Sequence, residues 1–168
     1  MGNLLDIRAL SVDFRTQRGR IKALRDVSIG VRRNRIVGIV GESGSGKSTI
    51  LWSILGLLAE NAEVTAGEIR FDDRDMLNLS RAEMLARRGE EISVVFQDPM
   101  TSQIPVLTYA RQMRDILYRR RTSSEEKRML AVQMMRKVGI PDPEGRVDQY
   151  PHQFSGGLRQ RVAMGRAI

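Results

Sequence analysis

The 168 residues contain no cysteine and one histidine. Without cysteine there are no disulfides, thiolate metal sites or iron–sulfur clusters within this stretch. Long apolar runs are also missing: the longest, Ile50 to Ala59, has ten residues and includes Ser53. A bilayer-spanning helix needs about 20. The opening Met-Gly-Asn-Leu-Leu-Asp has no basic segment, apolar run and cleavage site of the secretory kind, so the sequence predicts a cytoplasmic protein. What is present is ordinary for a globular chain, with 41% apolar and 29% charged residues, and the length suits one domain. The balance of 28 basic against 20 acidic residues gives a net charge of +8, and 24 of the basic residues are arginine. That charge would suit nucleic acid or an anionic membrane. The arginines are scattered, apart from Arg111, Arg114, Arg119, Arg120 and Arg121, and a solvated helix face explains them more simply.

Apolar spacing predicts strands over Leu4–Arg8 and Ile21–Val31, and a strand buried on both faces over Ile36–Val40. A buried helix follows, carrying Ile50, Leu51, Ile54, Leu55, Leu57 and Leu58. Gly67–Phe71 and Ile92–Phe96 read as further strands. Capping boxes at Ser80–Glu83 and Ser123–Glu126 open helices. From Thr108 the pattern is helical, with Gly139 ending one helix and Pro141 and Pro143 keeping the next stretch extended.

Between the third strand and the first helix lies Gly41-Glu42-Ser43-Gly44-Ser45-Gly46-Lys47-Ser48-Thr49. Residues 41–48 fit G-x-x-x-x-G-K-[ST], the phosphate-binding P-loop. A strand feeding such a loop into a helix aims backbone N–H groups and the helix N-terminus at a polyphosphate. The glycines let the backbone approach phosphate oxygens closely. Lys47 would reach the β- and γ-phosphates of a nucleotide such as ATP, and the Ser48 hydroxyl would ligate Mg²⁺. An ordinary glycine turn would leave the Lys47-Ser48 pair unexplained.

Two later segments choose among P-loop proteins. Val94-Val95-Phe96-Gln97-Asp98-Pro99-Met100 places its glutamine 50 residues after Lys47, and Phe154-Ser155-Gly156-Gly157-Leu158-Arg159-Gln160-Arg161-Val162 places its serine 58 residues after Gln97. This ordered triple, spread over the whole chain, resembles the nucleotide-binding subunits of ABC transporters. Phe-Gln-Asp-Pro-Met-Thr-Ser and Tyr-Pro-His-Gln-Phe-Ser-Gly-Gly are most similar to the oligopeptide, dipeptide and nickel importer branch. The resemblance implies an α/β fold, a P-loop NTPase core with an antiparallel β-subdomain and a helical subdomain. Residues 1–100 would form the core and β-subdomain, 101–155 the helical subdomain, and 155–168 the signature and its helix.

The resemblance also implies roles. Gln97 would touch Mg²⁺ or the attacking water and sense the membrane subunit. Ser155, Gly156 and Gly157 would cap the γ-phosphate of ATP bound to a second ATPase subunit in a homo- or heterodimer. Phe14 falls where the family stacks an aromatic on adenine, although a phenylalanine after Val12 is equally suited to a core. The surface from Gln97 to Val106 would receive a permease subunit, on the inner face of the plasma membrane, with no nucleic acid as partner. The apolar runs ending in Asp98 and in Ile69-Arg70-Phe71-Asp72 also look like Walker B strands; spacing alone excludes neither, and the Phe-Gln-Asp-Pro context favours the glutamine-loop reading at Asp98. His152 precedes the signature and does not occupy the family's switch-histidine position.

The sequence departs from the family in places. Leu158 stands where glutamine is usual, Ile104 replaces an asparagine, which puts the local turn in doubt, and Gly165 should cost its helix about 1 kcal/mol relative to alanine. The family's next strand, ending in Asp-Glu, and its switch histidine have no counterpart through Ile168. The expectation is the N-terminal part of an ABC ATPase that binds ATP but, by itself, turns it over poorly. A non-hydrolysing nucleotide-binding fragment is the alternative. A DNA-associated ABC ATPase fits less well, because 58 residues between Gln97 and Ser155 leave no room for a long coiled coil.

Overall fold

The computed structural model describes residues 2–96, 103–117 and 122–165. It divides into two compact units, Met1–Ile92 and Ser93–Ile168.

The first unit is built on an antiparallel sheet of four strands in the order β2-β1-β3-β4, where β1 is Asn3–Thr16, β2 Gly19–Arg32, β3 Ala62–Phe71 and β4 Arg74–Asp75. β1 runs well past the expected Leu4–Arg8, and a bulge explains why the pattern hid it. Ile7, Leu10 and Val12 are all buried, a spacing that simple alternation does not give. Ala9 takes φ 48° where the register slips, so the strand re-phases and keeps its apolar face inward. Ser28 Oγ accepts from the Ala9 amide at 3.0 Å, and Ser11 Oγ from the Asp26 amide at 3.1 Å. Across the bulge, Gly67 has φ +93°, and a Cβ there would lie 2.5 Å from the carbonyl oxygens of Arg8 and Ala9. Only glycine lets β3 pass so close.

Helix α1, Lys47–Leu55, buries Ile50, Ser53 and Leu55, and Ile50 joins the sheet core of Ile7, Leu10, Val12, Leu24 and Ile69. The burial expected of the helix is only partial. Leu51 is 46% exposed, and Gly56 ends the helix in a left-handed conformation before Leu57 and Leu58. Helix α2, Arg81–Arg87, carries the predicted capping box, with the Glu83 amide bonded to Ser80 Oγ and the Ser80 amide to Glu83 Oε2.

Two expected strands are absent. Ile36–Val40 is assigned to no strand, and Ile36 and Val40 are fully exposed. An apolar run becomes a strand only by pairing, and the four-stranded sheet does not include this segment. Of 92–96, Ile92 alone makes a bridge, to Arg88.

The second unit is helical: α3 is Tyr109–Ile116, α4 Ser124–Lys137, α5 Pro143–Arg146, a 3₁₀ turn covers Pro151–Gln153, and α6 is Gly156–Gly165. Its core contains Tyr109, Met113, Val132, Met135, Val147, Phe154 and Val162, with Tyr109 and Phe154 edge to face at 4.6 Å. Ser123 caps α4 as its sequence predicts, and Gly139 follows that helix with φ 72°. The stretch after it is not extended: Pro143 opens α5, Asp142 caps it, and the missing proline N–H costs nothing at a first helical position. A Cβ on Gly165 would make ordinary contacts with Val138, 3.4 Å at the nearest, so packing does not demand glycine there.

Candidate nucleotide site

The segment Gly41–Gly46 folds as a loop over the start of α1. Gly46 is the N-cap of α1 with φ 91°; it offers no side-chain cap, and the first turn holds no acidic residue. The first turn thus brings no carboxylate of its own to compete for the amides at this helix end, an anion-binding arrangement. A Cβ on Gly46 would sit 2.7 Å from Leu24 Cδ2 and 3.0 Å from the Ala23 carbonyl oxygen, and one on Gly41 would sit 2.8 Å from Ser45 Oγ. Gly44 also has positive φ, +82°, but faces open space. The loop thus lies against β2 and keeps its backbone bare toward solvent.

Lys47 bends back over the loop. Its ammonium donates to the carbonyl oxygens of Gly41 at 2.7 Å and Glu42 at 2.5 Å, and to Ser45 Oγ at 3.1 Å. These contacts centre a positive charge on the mouth of the loop. Glu42, Ser43 and Ser48 are exposed, while Thr49 is half-buried and its carbonyl accepts from Ser53 Oγ at 2.7 Å. Phe14 is half-buried on β1, opposite Ile21 and Ala62, and packs on the sheet core. Gln97, with Asp98, lies outside the described residues.

In the second unit Ser155 immediately precedes α6 and its carbonyl accepts from the Arg159 amide at 3.0 Å, opening the helix. Ser155, Gly156 and Gly157 are exposed, and among the described residues a Cβ on either glycine would meet nothing within 4 Å. His152 is exposed in the 3₁₀ turn and stacks on Tyr150 at 5.6 Å.

The ABC transporter family model matches residues 24–168. The chain belongs to the ABC transporter family. It is 44% identical over 170 residues to the dipeptide transport ATP-binding protein DppD of Bacillus subtilis, covering 100% of this chain and 51% of that one. It is 41% identical over 167 residues to the oligopeptide transport ATP-binding protein OppD of the same organism, covering 98% and 47%. It thus falls in the oligopeptide and dipeptide branch of ABC ATP-binding proteins and spans about half the length of these curated relatives. Among solved structures it resembles the dimeric, post-hydrolysis ATP-binding cassette MJ0796 bound to ADP and Pi, with a TM-score of 0.82 and 30% identity over 98% of this chain and 68% of that one. The fold is an ABC cassette: a P-loop with an antiparallel sheet and helices.

Within this ABC chain the rival Walker B reading of Ile69–Asp72 has no geometric support. β3 pairs antiparallel with β1 and β4, and Asp72, at positive φ in the turn beyond it, is ion-paired with Arg33.

Three residues unremarked in the sequence hold these segments in place. Arg88 bonds to the end of α1, with Nε to the Leu55 carbonyl at 2.8 Å and Nη2 to that of Gly56 at 2.7 Å. Gln103, 4% exposed, donates to the Arg159 carbonyl in α6 at 3.0 Å and accepts from the Tyr109 hydroxyl at 2.9 Å. Gln112 secures the turn around Ile104, accepting from its amide at 3.2 Å and donating to its carbonyl at 3.1 Å. The turn therefore forms with isoleucine at 104. No sequence pattern marks these partners, which lie up to 56 residues apart. Among the described residues, no helix is long and apolar enough to cross a membrane.

Proposed function

We propose that this chain is the nucleotide-binding part of an ATP-binding subunit that energises an ABC importer of peptides or related small solutes. One observation carries the reading: a glycine loop, seated so that a Cβ at Gly46 would meet the Ala23 carbonyl oxygen at 3.0 Å, runs into an uncapped helix end under the Lys47 ammonium. Backbone amides of residues 41–49 would hold the phosphates of ATP. Lys47 would exchange loop carbonyls for β- and γ-phosphate oxygens. The exposed Ser48 hydroxyl would ligate Mg²⁺ carried in with the nucleotide, and Gln97 would contact it by the family resemblance. When bound, Mg²⁺ would neutralise phosphate charge. Phe14 would offer a ring edge to adenine while the rest of it packs on the core.

The same reading gives Ser155–Gly157 a partner outside the chain. Among the described residues nothing lies within 4 Å of a Cβ built on Gly156 or Gly157, so the bare backbone there suits approach by ATP held on a second ATPase subunit. Turnover and transport would belong to the whole protein, assembled as a dimer beneath permease subunits on the cytoplasmic face of the membrane. Ile104 and Val106, 49% and 75% exposed, offer apolar surface to a permease. Cysteines at these two positions in the assembled transporter should crosslink to a permease cysteine, with Arg18 on the β1–β2 turn as control. Crosslinks from Arg18 and none from 104 or 106 would refute the docking surface.

A further inference from the structure

Helix α1 is held asymmetrically. Its N-terminal end is the bare loop, with a glycine cap and no capping side chain. Its C-terminal end has no basic residue of its own in the last turn, yet the two carbonyls there, of Leu55 and Gly56, are both taken by Arg88, from 33 and 32 residues away. The Gly56 amide turns back to the Ser53 carbonyl at 3.2 Å and that of Leu57 to Trp52 at 2.8 Å, so the helix's own terminal turn leaves these oxygens to the guanidinium. A fixed fork of donors carrying a positive charge suits the negative end of a helix dipole.

Arg88 is itself well anchored. It is half-buried, its amide bonds to the Met84 carbonyl at 3.1 Å, and its backbone bridges to Ile92. Met84 closes the same joint: a Cβ on Gly56 would lie 3.2 Å from both Met84 Cε and Arg88 Nη2.

We infer that Arg88 is a positioning residue for nucleotide binding, setting the tilt of the P-loop helix by clamping its far end. The inference rests on the reading of Gly41–Thr49 as the ATP site. Nine residues make a rod of about 13 Å. A tilt of roughly 10° about one end moves the other by about 2 Å, more than N–H···O bonds to phosphate tolerate. Removing the clamp therefore acts on amides that Arg88 never touches.

The test compares the intact protein with Arg88→Met, Arg88→Lys and Ile7→Val, the last a core change on β1 that leaves the clamp alone. Affinity for a fluorescent ATP analogue is measured beside the melting temperature and amide exchange across 47–55. Arg88→Met should bind about tenfold more weakly and exchange faster across α1. Arg88→Lys, keeping the charge and one donor direction, should recover part of both. Ile7→Val should lower the melting temperature with affinity unchanged. Wild-type affinity in Arg88→Met, or an equal affinity loss in Ile7→Val at matched melting temperature, overturns the inference. A wild-type protein that binds no ATP overturns the nucleotide reading and this inference with it; binding by wild type and Arg88→Met alike overturns this inference alone.

Discussion

Two glycines of the loop share a left-handed backbone and differ in what surrounds them, which makes them a controlled pair. Gly44 has φ +82° and open space; Gly46 has φ +91°, with Leu24 Cδ2 at 2.7 Å and the Ala23 carbonyl oxygen at 3.0 Å from a built Cβ. Gly44→Ala should pay only for a left-handed alanine, about 1–2 kcal/mol. Gly46→Ala pays the same and must also displace its neighbours. The leucine methyl can rotate away, but the Ala23 oxygen belongs to β2 and moves only with the strand, adding roughly 1–2 kcal/mol of overpacking. Urea denaturation without nucleotide should therefore show Gly44→Ala less stable than wild type by about 1–2 kcal/mol and Gly46→Ala by about 2–4 kcal/mol. If the loop yields instead of the fold, Gly46→Ala should unfold at the wild-type midpoint but lose ATP affinity roughly 30-fold or more, as 2 kcal/mol or above implies. A harmless Gly46→Ala, or one equal to Gly44→Ala in both measurements, would refute the claim that the loop is seated against β2.

Gln103→Leu keeps size but strips the bonds to the Arg159 carbonyl and the Tyr109 hydroxyl, and should destabilise the helical unit by about 1–3 kcal/mol in thermal or urea melts; an unchanged midpoint would show that the buried amide does not hold α6. Acid should weaken the sheet unit. Hydrogen bonds from Asn3 and then Arg8 hold Asp6 below the usual carboxylate range, Arg15 does so for Glu63, and Ser80 for Glu83. Carboxylates lowered in the fold stabilise it above their unfolded pKa and lose that contribution as pH falls through their folded values. The urea midpoint should thus drop as pH falls below about 4, and a flat midpoint from pH 6 to 3 would contradict these contacts.

Local chemistry was legible and long-range partnership was not. The boxes at Ser80–Glu83 and Ser123–Glu126 cap their helices because each is complete within four residues. The P-loop could be read from spacing alone, but its seat against Ala23 and Leu24 could not. Alternation failed on β1 because the bulge at Ala9 changes which residues face inward. Ile36–Val40 is apolar throughout, which suits a buried strand, yet composition names no neighbouring strand, and the sheet of β1 to β4 supplies none. Gln103, Gln112 and Arg88 carry no sequence signal because their partners are backbone carbonyls, a backbone amide and a tyrosine hydroxyl brought near only by folding. Pro143 misled for a simpler reason: proline stops a helix from within and starts one at its first position, and Asp142 decides between these.

The central claim is that Gly41–Thr49 binds ATP and that Lys47 supplies its charge. Titrating ATP into the wild-type chain and into Lys47→Ala, with circular dichroism to establish that both are folded, tests it directly. A charge-assisted contact of about 1.5–3 kcal/mol predicts saturable wild-type binding that weakens by roughly 10- to 150-fold in Lys47→Ala. Equal affinity in two folded proteins, or no saturable binding by wild type, would contradict it.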